Sequence, residues 1–569
     1  MNKNLTIAGL IVLSGCSADD GGPIVSSDPF CQQVRTSVES FMAQSRADQP
    51  APNDDRYGGT VVVGTIGDLR DGMNSAVSAD YASVQHQQFV NLMTLLDYDE
   101  QIRPRPYLAE SWAVSEDATE ITFHIRQDVY WHDGEQTDAH DVAFTYRVVT
   151  DPATAFPNSS AWDFYVPGDE GVEVVDDFTV KIRLRPHGEL LAPWQSLGIL
   201  PEHLLGDVPH EEIGQHPFGS QCPVGNGPFV FESHSPQARW VFTANPVFPE
   251  SLGGRPYLDR YVFRVVPEQT TLLAELLTEG IDLYIAPSPD QAQRIAADPN
   301  LGLLSFNSRN YLFVVWNSRK PQLADPRVRR ALTMGMNRAQ FVRAILQGYG
   351  AVANSGVPPF HWAFDDNPTN RLSYDPAGAA ELLDVAGWVD RDGDGVREST
   401  DGLPLSFSLW YNAGSQQRQD VAEFAQAQLV PLGVEIKPEV LEFGTMIDGM
   451  TEPGERPFEA AVMGWVTDYR VDDSGLFHSE RVDEPFAFSG TENAELDRLM
   501  DLLNETIDRD VAAPLWEAYQ RVINEEQPFT YFFYPDRIIG VNTRVQNLEM
   551  DARGEWLGIR RWYIDPGRR

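Results

Sequence analysis

A carboxylate follows a buried strand in the C-terminal third of the chain. The apolar run 460–463 reaches Gly464 and Trp465, and Asp468 comes three residues later. A carboxylate that is closed away from water is costly unless a cation pairs with it. Two interpretations stay open from these residues alone. Asp468 binds a cationic group of a ligand, or it caps a turn or pairs with Arg470.

A second set of carboxylates has the spacing of a calcium-binding loop. Asp390, Asp392 and Asp394 alternate, Gly395 stands where such loops bend sharply, and Asp401 falls at the twelfth position. The bidentate glutamate usual at the last position is missing, and the eighth position lacks its apolar residue. The four aspartates are therefore candidate ligands of a structural calcium ion, and an Asp/Gly-rich turn is the alternative.

Motifs for catalysis are absent from the sequence. It contains no G-x-S-x-G, Walker A, H-E-x-x-H or C-x-x-C pattern. His132 and His140 are each followed by an acid, which fits metal ligation or simply a loop and a helix start. We expect no enzymatic activity and no cofactor apart from the candidate calcium ion.

The composition limits the class of partner. The 569 residues include 84 acidic and 43 basic residues, for a net charge of −41. Such a field repels nucleic acids and anionic lipid, and it favours neutral or cationic partners. Solubility or salt adaptation explains the same charge. The length predicts about three or four domain-sized units.

The N-terminus has the pattern of an export signal. The apolar stretch Leu5–Leu13 is too short to span a bilayer and suits a signal peptide. It ends in a Leu-Ser-Gly-Cys sequence that resembles a bacterial lipobox, whose cysteine, here Cys16, is lipidated and becomes the new N-terminus. We expect a signal peptide at 1–15 and a tether at 16–57. An ordinary signal peptide with a chance cysteine is the alternative.

Two further cysteines remain once Cys16 carries lipid. In an oxidising exported compartment, two leftover cysteines favour a disulfide. We therefore predict a Cys31–Cys222 bond. The tether is rich in Asp, Ser, Pro and Gly, and a short helix is expected over Phe30–Ala47.

Strand and helix patterns alternate along the rest of the chain, which indicates α/β or α+β domains. Ile121, Phe123 and Ile125 alternate with polar residues, as in a half-buried strand. A glycine-bracketed strand is expected at Gly58–Gly64, and a hairpin at Val172–Leu184. Helices are predicted at Pro326–Gly348, Asp375–Ala386, Gln417–Leu429 and Asn493–Glu526.

Several separated blocks resemble the extracellular solute-binding proteins of family 5, the oligopeptide-, dipeptide- and nickel-binding lipoproteins of ABC importers. The blocks stand in the family's order and cover nearly the whole mature chain. They are Leu108–Trp112, Phe123–Tyr146, Ile199–Leu205, Pro223–Phe229, Asn245–Pro246, Gly253–Leu283, Trp316–Arg338 and Tyr374–Trp388.

The resemblance implies an α/β periplasmic-binding-protein fold with two lobes and a hinge between them. Lobe I would be discontinuous and lobe II continuous, with a small inserted domain. The implied ranges are 58–97, 179–308 and 530–569 for lobe I, 98–178 for the inserted domain and 309–529 for lobe II. The chain would cross between lobes near Phe306–Tyr311 and near Thr530.

The resemblance also implies where the ligand binds. Asp468 would receive the α-ammonium of a peptide inside a closed crevice, with no basic residue of the chain neutralising it. Some members place an arginine two residues before the Gly-Trp pair, where this chain has Val462, and Arg418 is a candidate substitute. The other implied ligand contacts are Gly464, Trp465, Thr467, Tyr469, Tyr411, Asn412, Ser78 and Asp80.

The function implied is a lipid-anchored periplasmic or cell-surface receptor of an ABC importer. It would capture peptides between its lobes and deliver them to the permease subunits. We expect a monomer that contacts the membrane only through its anchor and binds no nucleic acid. Alternatives are a non-peptide solute (an opine, an oligosaccharide or a metal chelate), an exported hydrolase, or a sensing protein without a permease.

Overall fold

One mixed sheet runs through the molecule from end to end. The computed structural model describes residues 26–48, 54–452, 454 and 456–569. Its strands are β1 Thr60–Thr65, β2 Leu96–Tyr98, β3 Pro104–Pro106, β4 Ala109–Val114, β5 Glu120–Ile125, β6 Val172–Asp176, β7 Thr179–Arg183, β8 Phe229–Ser235, β9 Arg239–Ala244, β10 Arg260–Val265, β11 Leu283–Ile285, β12 Leu301–Asn307, β13 Asn310–Trp316, β14 Gly350–Val352, β15 Ser406–Asn412, β16 Glu435–Leu441, β17 Ala460–Val466, β18 Phe529–Asn542, β19 Val545–Gln546 and β20 Tyr563–Ile564. The order along the large sheet is β16-β15-β17-β13-β18-β11-β1-β10-β9-β8.

Helices cover both halves of this sheet. They are α1 Pro29–Asp48, α2 Tyr81–His86, α3 Ala139–Thr150, α4 Pro193–Ser196, α5 Glu202–Leu205, α6 Gln269–Leu277, α7 Pro289–Ala296, α8 Pro326–Gly335, α9 Arg338–Ala344, α10 Pro376–Val385, α11 Gln416–Leu429, α12 Phe443–Thr451, α13 Ser474–Phe477, α14 Ala494–Glu505 and α15 Arg509–Glu526. Two predicted helices are each divided. Asn337 caps the start of α9, and Asp508 caps the start of α15, because their side chains accept hydrogen bonds from backbone amides of the following turn.

The long strand β18 belongs to both lobes. Its first part, through Phe533, pairs with β13, and its second part, from Asp536, pairs with β12 and β11. This crossing therefore lies beyond Thr530, which pairs with Val314 inside the lobe II half. The other crossing is the β12–β13 connection, at the position expected. Below, the lobe I sheet is β8, β9, β10, β1, β11 and β12 with the end of β18, and the lobe II sheet is β13, β17, β15 and β16 with its start.

A separate four-stranded sheet forms the inserted domain. Its order is β4-β5-β7-β6, and β7 pairs with both β5 and β6. The inserted domain therefore extends through Arg183 and past the predicted end at residue 178. Ile121, Phe123 and Ile125 are buried as their alternation predicts.

Each half of the large sheet buries its own core. On α11 the buried residues Val421, Ala422 and Ala425 recur at helical spacing, so one face of the helix packs on the lobe II sheet. In lobe I, alternate residues of β10 are buried against the aromatic core around Trp240. These two packed layers fix the ends of the central strands, which carry the polar residues described next.

The N-terminal helix is held to the body by a disulfide. Cys31 and Cys222 are bonded, with their Cα atoms 5.3 Å apart, so the predicted pair forms in the structure. Cys16 and the apolar stretch before it lie outside the described residues. In the part of the chain that is described, no helix is both long and apolar enough to cross a membrane.

Candidate functional site

The carboxyl ends of parallel strands from the two half-sheets point toward each other. In lobe I, β1 runs parallel to β10 and β11, and Ile285 at the end of β11 pairs with Ile539, close to the β18 crossing. In lobe II, β15 runs parallel to β16 and β17, and Val466 at the end of β17 pairs with Asn310, next to the other crossing. Ligands of open α/β sheets bind outside the carboxyl ends of such strands. The crevice between the two edges is therefore the candidate site.

The segment that leaves β17 is anchored on both sides. The backbone amide of Thr467 donates to the carbonyl of Arg309 at 2.8 Å, and its hydroxyl donates to the carbonyl of Gly356 at 2.9 Å. Trp465 is half-buried and packs edge-on against Phe486, with ring centroids 5.7 Å apart. Thr467 is buried and fully engaged, so its role is to position the residue that follows it.

Asp468 lies in the crevice but differs from the expectation in its surroundings. Its side chain is 64% exposed, and its Oδ1 is 3.4 Å from Nη1 of Arg309. Arg470 is not its partner, because Arg470 pairs with Asp472 at 2.5 Å. The expectation of a carboxylate closed away from water, with no basic neighbour, is therefore wrong for this structure on both points. Arg309 comes from the crossing between β12 and β13, far away in sequence.

Arg309 is enclosed by aromatic rings from both lobes. Its side chain is 9% exposed, and its guanidinium lies 5.2 Å from the ring centroid of Tyr81 and 4.9 Å from that of Tyr469. Burial favours the neutral form, yet Tyr469, Tyr81 and Asp468 together raise the pKa of Arg309 above its ordinary value. Arg309 therefore stays charged and offsets part of the charge of Asp468.

Two more charged residues extend this arrangement across the crossings. Glu555 is 1% exposed, pairs with Arg537 at 2.6 Å and accepts a hydrogen bond from the hydroxyl of Tyr81 at 2.8 Å. We call Tyr81, Arg309, Tyr469, Arg537 and Glu555 the hinge cluster. The hydroxyl of Tyr469 donates to the carbonyl of Arg553 at 2.8 Å, and burial raises the pKa of Tyr469 to about 12. Tyr469, expected as a ligand contact, is 3% exposed and instead joins the lobes.

Arg418 reaches the crevice from the start of α11. Its Nη1 donates to Oδ1 of Asn412 at 2.6 Å, and a methyl group placed on Gly464 would lie 3.6 Å from its Nη2. The guanidinium also lies 5.7 Å from the ring centroid of Phe443. Among the described residues no carboxylate pairs with Arg418, and burial lowers its pKa. The structure thus brings Arg418, Asn412 and Gly464 together at one edge, with Tyr411 half-buried beside them.

The residues expected from lobe I are engaged within that lobe. Asp80 caps α2, because its Oδ2 accepts from the amide of Ser83 at 2.9 Å and from its hydroxyl at 2.8 Å. Its own amide donates to Asp71 at 2.7 Å. The Asp80 carboxylate is therefore occupied by the helix start. Ser78 is buried, and its hydroxyl has no hydrogen-bond partner among the described residues.

The comparison with family models decides the class of protein. Residues 103–481 match the model of the bacterial extracellular solute-binding proteins, family 5. The chain belongs to this family. Its members are solute-binding proteins and not enzymes, and their two-lobed α/β fold is the one described above.

Individual relatives match this chain over most of its length. It is 29% identical over 512 residues to the oligopeptide-binding protein AppA of Bacillus subtilis (strain 168), covering 90% of this chain and 92% of that protein. It is 26% identical over 478 residues to the dipeptide-binding protein of Escherichia coli (strain K12), covering 79% and 84%. The solved structure of the Bacillus subtilis protein in complex with a nonapeptide aligns with a TM-score of 0.73 at 28% identity, over 90% of this chain and 99% of that one.

A second contact between lobes of this family 5 protein lies away from the crossings. Arg509, at the start of α15, makes two hydrogen bonds of 2.9 and 3.0 Å to the carboxylate of Glu189 and one of 2.6 Å to the carbonyl of Ile102. The amide of Gly188 donates to the carbonyl of Asn504 at 2.7 Å. We call these five residues the latch. Sequence patterns gave no sign of it, since its members are spread over some four hundred positions.

The Asp/Gly loop gathers carboxylates, but not the four that were predicted. Ligand atoms of Asp390, Asp392, Asp394 and Glu398 lie within 4.8 Å of one another, and Asp401 is outside the group. The amide of Asp394 donates to Asp392 at 3.1 Å and that of Val396 donates to Asp394 at 2.8 Å, which is typical of Asx turns. Calcium binding stays a prediction, with Glu398 in the place that spacing gave to Asp401.

The two histidines noted in the sequence do not converge on a metal site. His132 is buried, with Nε2 3.0 Å from the carbonyl of Gly227 and Nδ1 accepting from the amide of Gly225 at 3.2 Å. Burial lowers its pKa to about 4. His140 is exposed in the first turn of α3. The interpretation as a loop and a helix start therefore agrees with the structure.

Proposed function

We propose that the chain is the substrate-binding component of a peptide importer. It captures peptides in the crevice, with their N-terminal ammonium at Asp468, and delivers them to the permease subunits of an ABC transporter. The observation that supports this most is an exposed carboxylate at the carboxyl edge of one lobe, facing the other lobe across the crevice. The peptide ligands named for the relatives are consistent with it.

Arg309 already contacts the carboxylate to which the peptide ammonium would bind. In the ligand-free arrangement it offsets part of the charge of Asp468 through a single long contact of 3.4 Å. A peptide ammonium carries three donors and makes shorter, charge-assisted hydrogen bonds to a carboxylate. The ligand therefore competes for one carboxylate oxygen and leaves the aromatic enclosure of Arg309 intact. Lobe closure is then favoured because the ligand binds the closed state better than the open one.

Arg418 is the second proposed contact for the ligand. It has no carboxylate partner among the described residues and lies against Gly464, in a protein with an excess of acids. An unpaired guanidinium of this kind favours an acceptor group of the ligand, such as a peptide carbonyl or a terminal carboxylate. Asn412 holds the guanidinium in that direction.

Export and anchoring complete the proposal. The signal peptide at 1–15 and the lipid on Cys16 would fix the protein to a membrane at the periplasmic or cell surface, with the tether giving it reach. Residues 1–25 lie outside those that the structure describes, whereas α1, within the predicted tether, is bonded to the body through Cys31 and Cys222. The anchor would keep the receptor close to its permease.

The test is calorimetric titration of the purified protein with short peptides that have a free N-terminus. Asp468→Asn is expected to weaken binding by about tenfold or more, because a charge-assisted contact becomes a neutral one. N-terminal acetylation of the peptide should cause a loss of the same size in the wild type.

The matched control is Asp501→Asn. Asp501 is 67% exposed and lies 3.4 Å from Nε2 of His478, so it resembles Asp468 in exposure and in having a basic neighbour. This variant should bind peptides with unchanged affinity. Equal affinities of wild type and Asp468→Asn would contradict the proposed role of Asp468.

A further inference from the structure

The lobe II edge of the crevice carries exposed aromatic side chains. Phe443 is 48% exposed and Phe486 is 53% exposed. No other phenylalanine in the described part of the chain is exposed to this degree. Phe443 begins α12, directly after β16, and Phe486 packs on Trp465 near the end of β17. Both rings therefore lie where the parallel strands end.

The exposed apolar side chains at this edge form two groups. Phe443 lies over the guanidinium of Arg418, which lies against Gly464, whereas Trp465, on the opposite face of the strand, packs on Phe486 with ring centroids 5.7 Å apart. Val440 and Val466, each 55% exposed, lie at the ends of β16 and β17. Exposed apolar side chains that gather at the ends of neighbouring strands favour a binding surface, whereas single ones scattered over the protein need no explanation.

The opposite edge adds an apolar side chain from lobe I. Ile66 directly follows β1 and is 50% exposed. Because the carboxyl ends of β1 and β17 face the same crevice, Ile66 lies on the other side of the space that a ligand fills. Asp468 is two residues past Val466, so the apolar edge begins next to the proposed ammonium site.

We infer that this edge binds apolar side chains, so that the ligands are peptides with aliphatic or aromatic residues near a free N-terminus. The inference rests on the proposed function, because the position of the ammonium sets which side chains reach the edge. An apolar side chain placed there leaves water together with Phe443 or Phe486. A charged side chain in the same place would lose hydration without a partner, apart from an acid that reaches Arg418.

The experiment uses tripeptides with free termini that differ only in the central residue: Ala-Ala-Ala, Ala-Leu-Ala, Ala-Phe-Ala, Ala-Asp-Ala and Ala-Lys-Ala. Titration calorimetry of the full protein is expected to give affinities for the Leu and Phe peptides about tenfold above that of the Ala peptide. The Lys peptide should bind more weakly than the Ala peptide. Equal affinities across the series would overturn the inference while leaving peptide binding itself intact.

Variants locate the preference on this edge. Phe443→Ser and Phe486→Ser should each reduce the advantage of the Phe peptide over the Ala peptide, and Phe443→Leu should keep it. Tyr374→Ser is the control, since Tyr374 is 48% exposed and precedes α10, away from the strand ends. An advantage that persists in both serine variants would overturn the inference. Failure of every peptide to bind the wild type would instead refute the proposed function.

Discussion

Two of the places where the lobes meet are held in different ways. In the hinge cluster, Arg309 and Arg537 lie at the two chain crossings, and Tyr81, Tyr469 and Glu555 pack around them. The latch joins residues 320 positions apart, Glu189 and Arg509, by non-covalent contacts alone. Two charged side chains of the hinge cluster, Glu555 and Arg309, are 1% and 9% exposed, whereas Glu189 and Arg509 of the latch are 20% and 24% exposed. Substitutions in the first should therefore cost folding stability, and substitutions in the second should change the relative placement of the lobes.

The largest effect is expected from Glu555→Ala in the hinge cluster. Glu555 is 1% exposed and is the carboxylate nearest to Arg537 and Tyr81. Removing it leaves the guanidinium of Arg537, which is 24% exposed, without its anion and the hydroxyl of Tyr81 without its acceptor, which costs about 2 kcal/mol of unfolding free energy. Urea unfolding followed by circular dichroism measures the loss.

Glu495→Ala is the control for this variant. Glu495 pairs with Arg498 at 2.7 Å, but both side chains are about half exposed. Exposed pairs contribute little to stability, so the control should lose much less unfolding free energy than Glu555→Ala. A loss in Glu555→Ala no larger than in the control would remove the distinction between a buried hinge and an exposed pair.

Arg509→Met tests the latch. We expect about 1 kcal/mol less unfolding free energy, because the pair is partly exposed. The more specific result is a larger radius of gyration of the ligand-free protein in small-angle X-ray scattering, since the lobes lose a contact remote from the crossings. Arg498→Met is the control, because Arg498 makes two hydrogen bonds to Glu495 on the surface of α14. This variant should leave the radius of gyration unchanged. Identical scattering of Arg509→Met and wild type would show that the hinge alone sets the lobe positions.

The backbone conformation at the latch gives a physical reason to expect that the lobes shift when the latch is broken. Ile102 and Glu189 both have positive φ angles, 57° and 53°. A β-branched residue in that conformation is strained, and such strain persists only where surrounding contacts hold it. A Cβ on Gly188 would lie 2.7 Å from the carbonyl oxygen of Thr506, so this close approach requires glycine.

Asp473 connects the two regions and should make stability depend on pH. It follows the Asp468–Tyr469 segment and accepts a hydrogen bond of 2.5 Å from Tyr519 on α15, the helix that begins with Arg509. Burial, with a contribution from the charge of Asp472, raises the pKa of Asp473 from 3.8 to about 6. Between these values the folded protein holds a proton that the unfolded chain has released. The contribution of Asp473 to the unfolding free energy should therefore fall as pH rises from about 4 to about 6, whereas buried histidines such as His132, whose pKa is lowered to about 4, contribute in the opposite direction.

Asp473→Asn isolates that contribution. Between pH 4 and pH 6 the unfolding free energy of the variant, measured by urea unfolding at several pH values, should change with a more positive slope than that of the wild type. Asp141, in the inserted domain, has its pKa raised to about 6 by burial as well and should keep its own negative contribution to the slope. A slope unchanged by the substitution would mean that Asp473 does not carry the effect.

Local patterns predicted the elements better than they predicted the site. Alternation and helical spacing predicted the β5 strand and the α11 helix, because the burial of one face depends on the types of residues close together in the sequence. The partner of Asp468 could not be found in this way. Arg309 lies 159 positions earlier, in a segment that the family resemblance implies only as a crossing between lobes. An excess of acids does indicate that an arginine without an acidic partner is unusual, yet only the fold shows that Arg418 is one.

The same limit explains the residues that changed role. Asp80 stands before a helix start, where aspartate is a favoured cap, so its sequence position fits that role as well as a ligand contact. Tyr469 follows Asp468 directly, but its ring packs against Tyr98 at the end of β2, with centroids 6.0 Å apart. Whether an aromatic side chain lines a crevice or joins the lobes depends on contacts that are not local.

The smallest effect is expected in the Asp/Gly loop, which belongs to neither lobe contact. Carboxylate oxygens are the ligands that calcium prefers, and the loop offers Asp390, Asp392, Asp394 and Glu398 within 4.8 Å of one another. If calcium binds, titration calorimetry at millimolar calcium should give saturable heat and a small rise in the melting temperature. Glu398→Gln should abolish that heat, whereas Asp401→Asn should preserve it. If Asp401→Asn loses the heat and Glu398→Gln keeps it, the ligand is Asp401, at the twelfth position, and not Glu398. If the wild type gives no heat, the loop is a hydrogen-bonded turn that does not bind calcium.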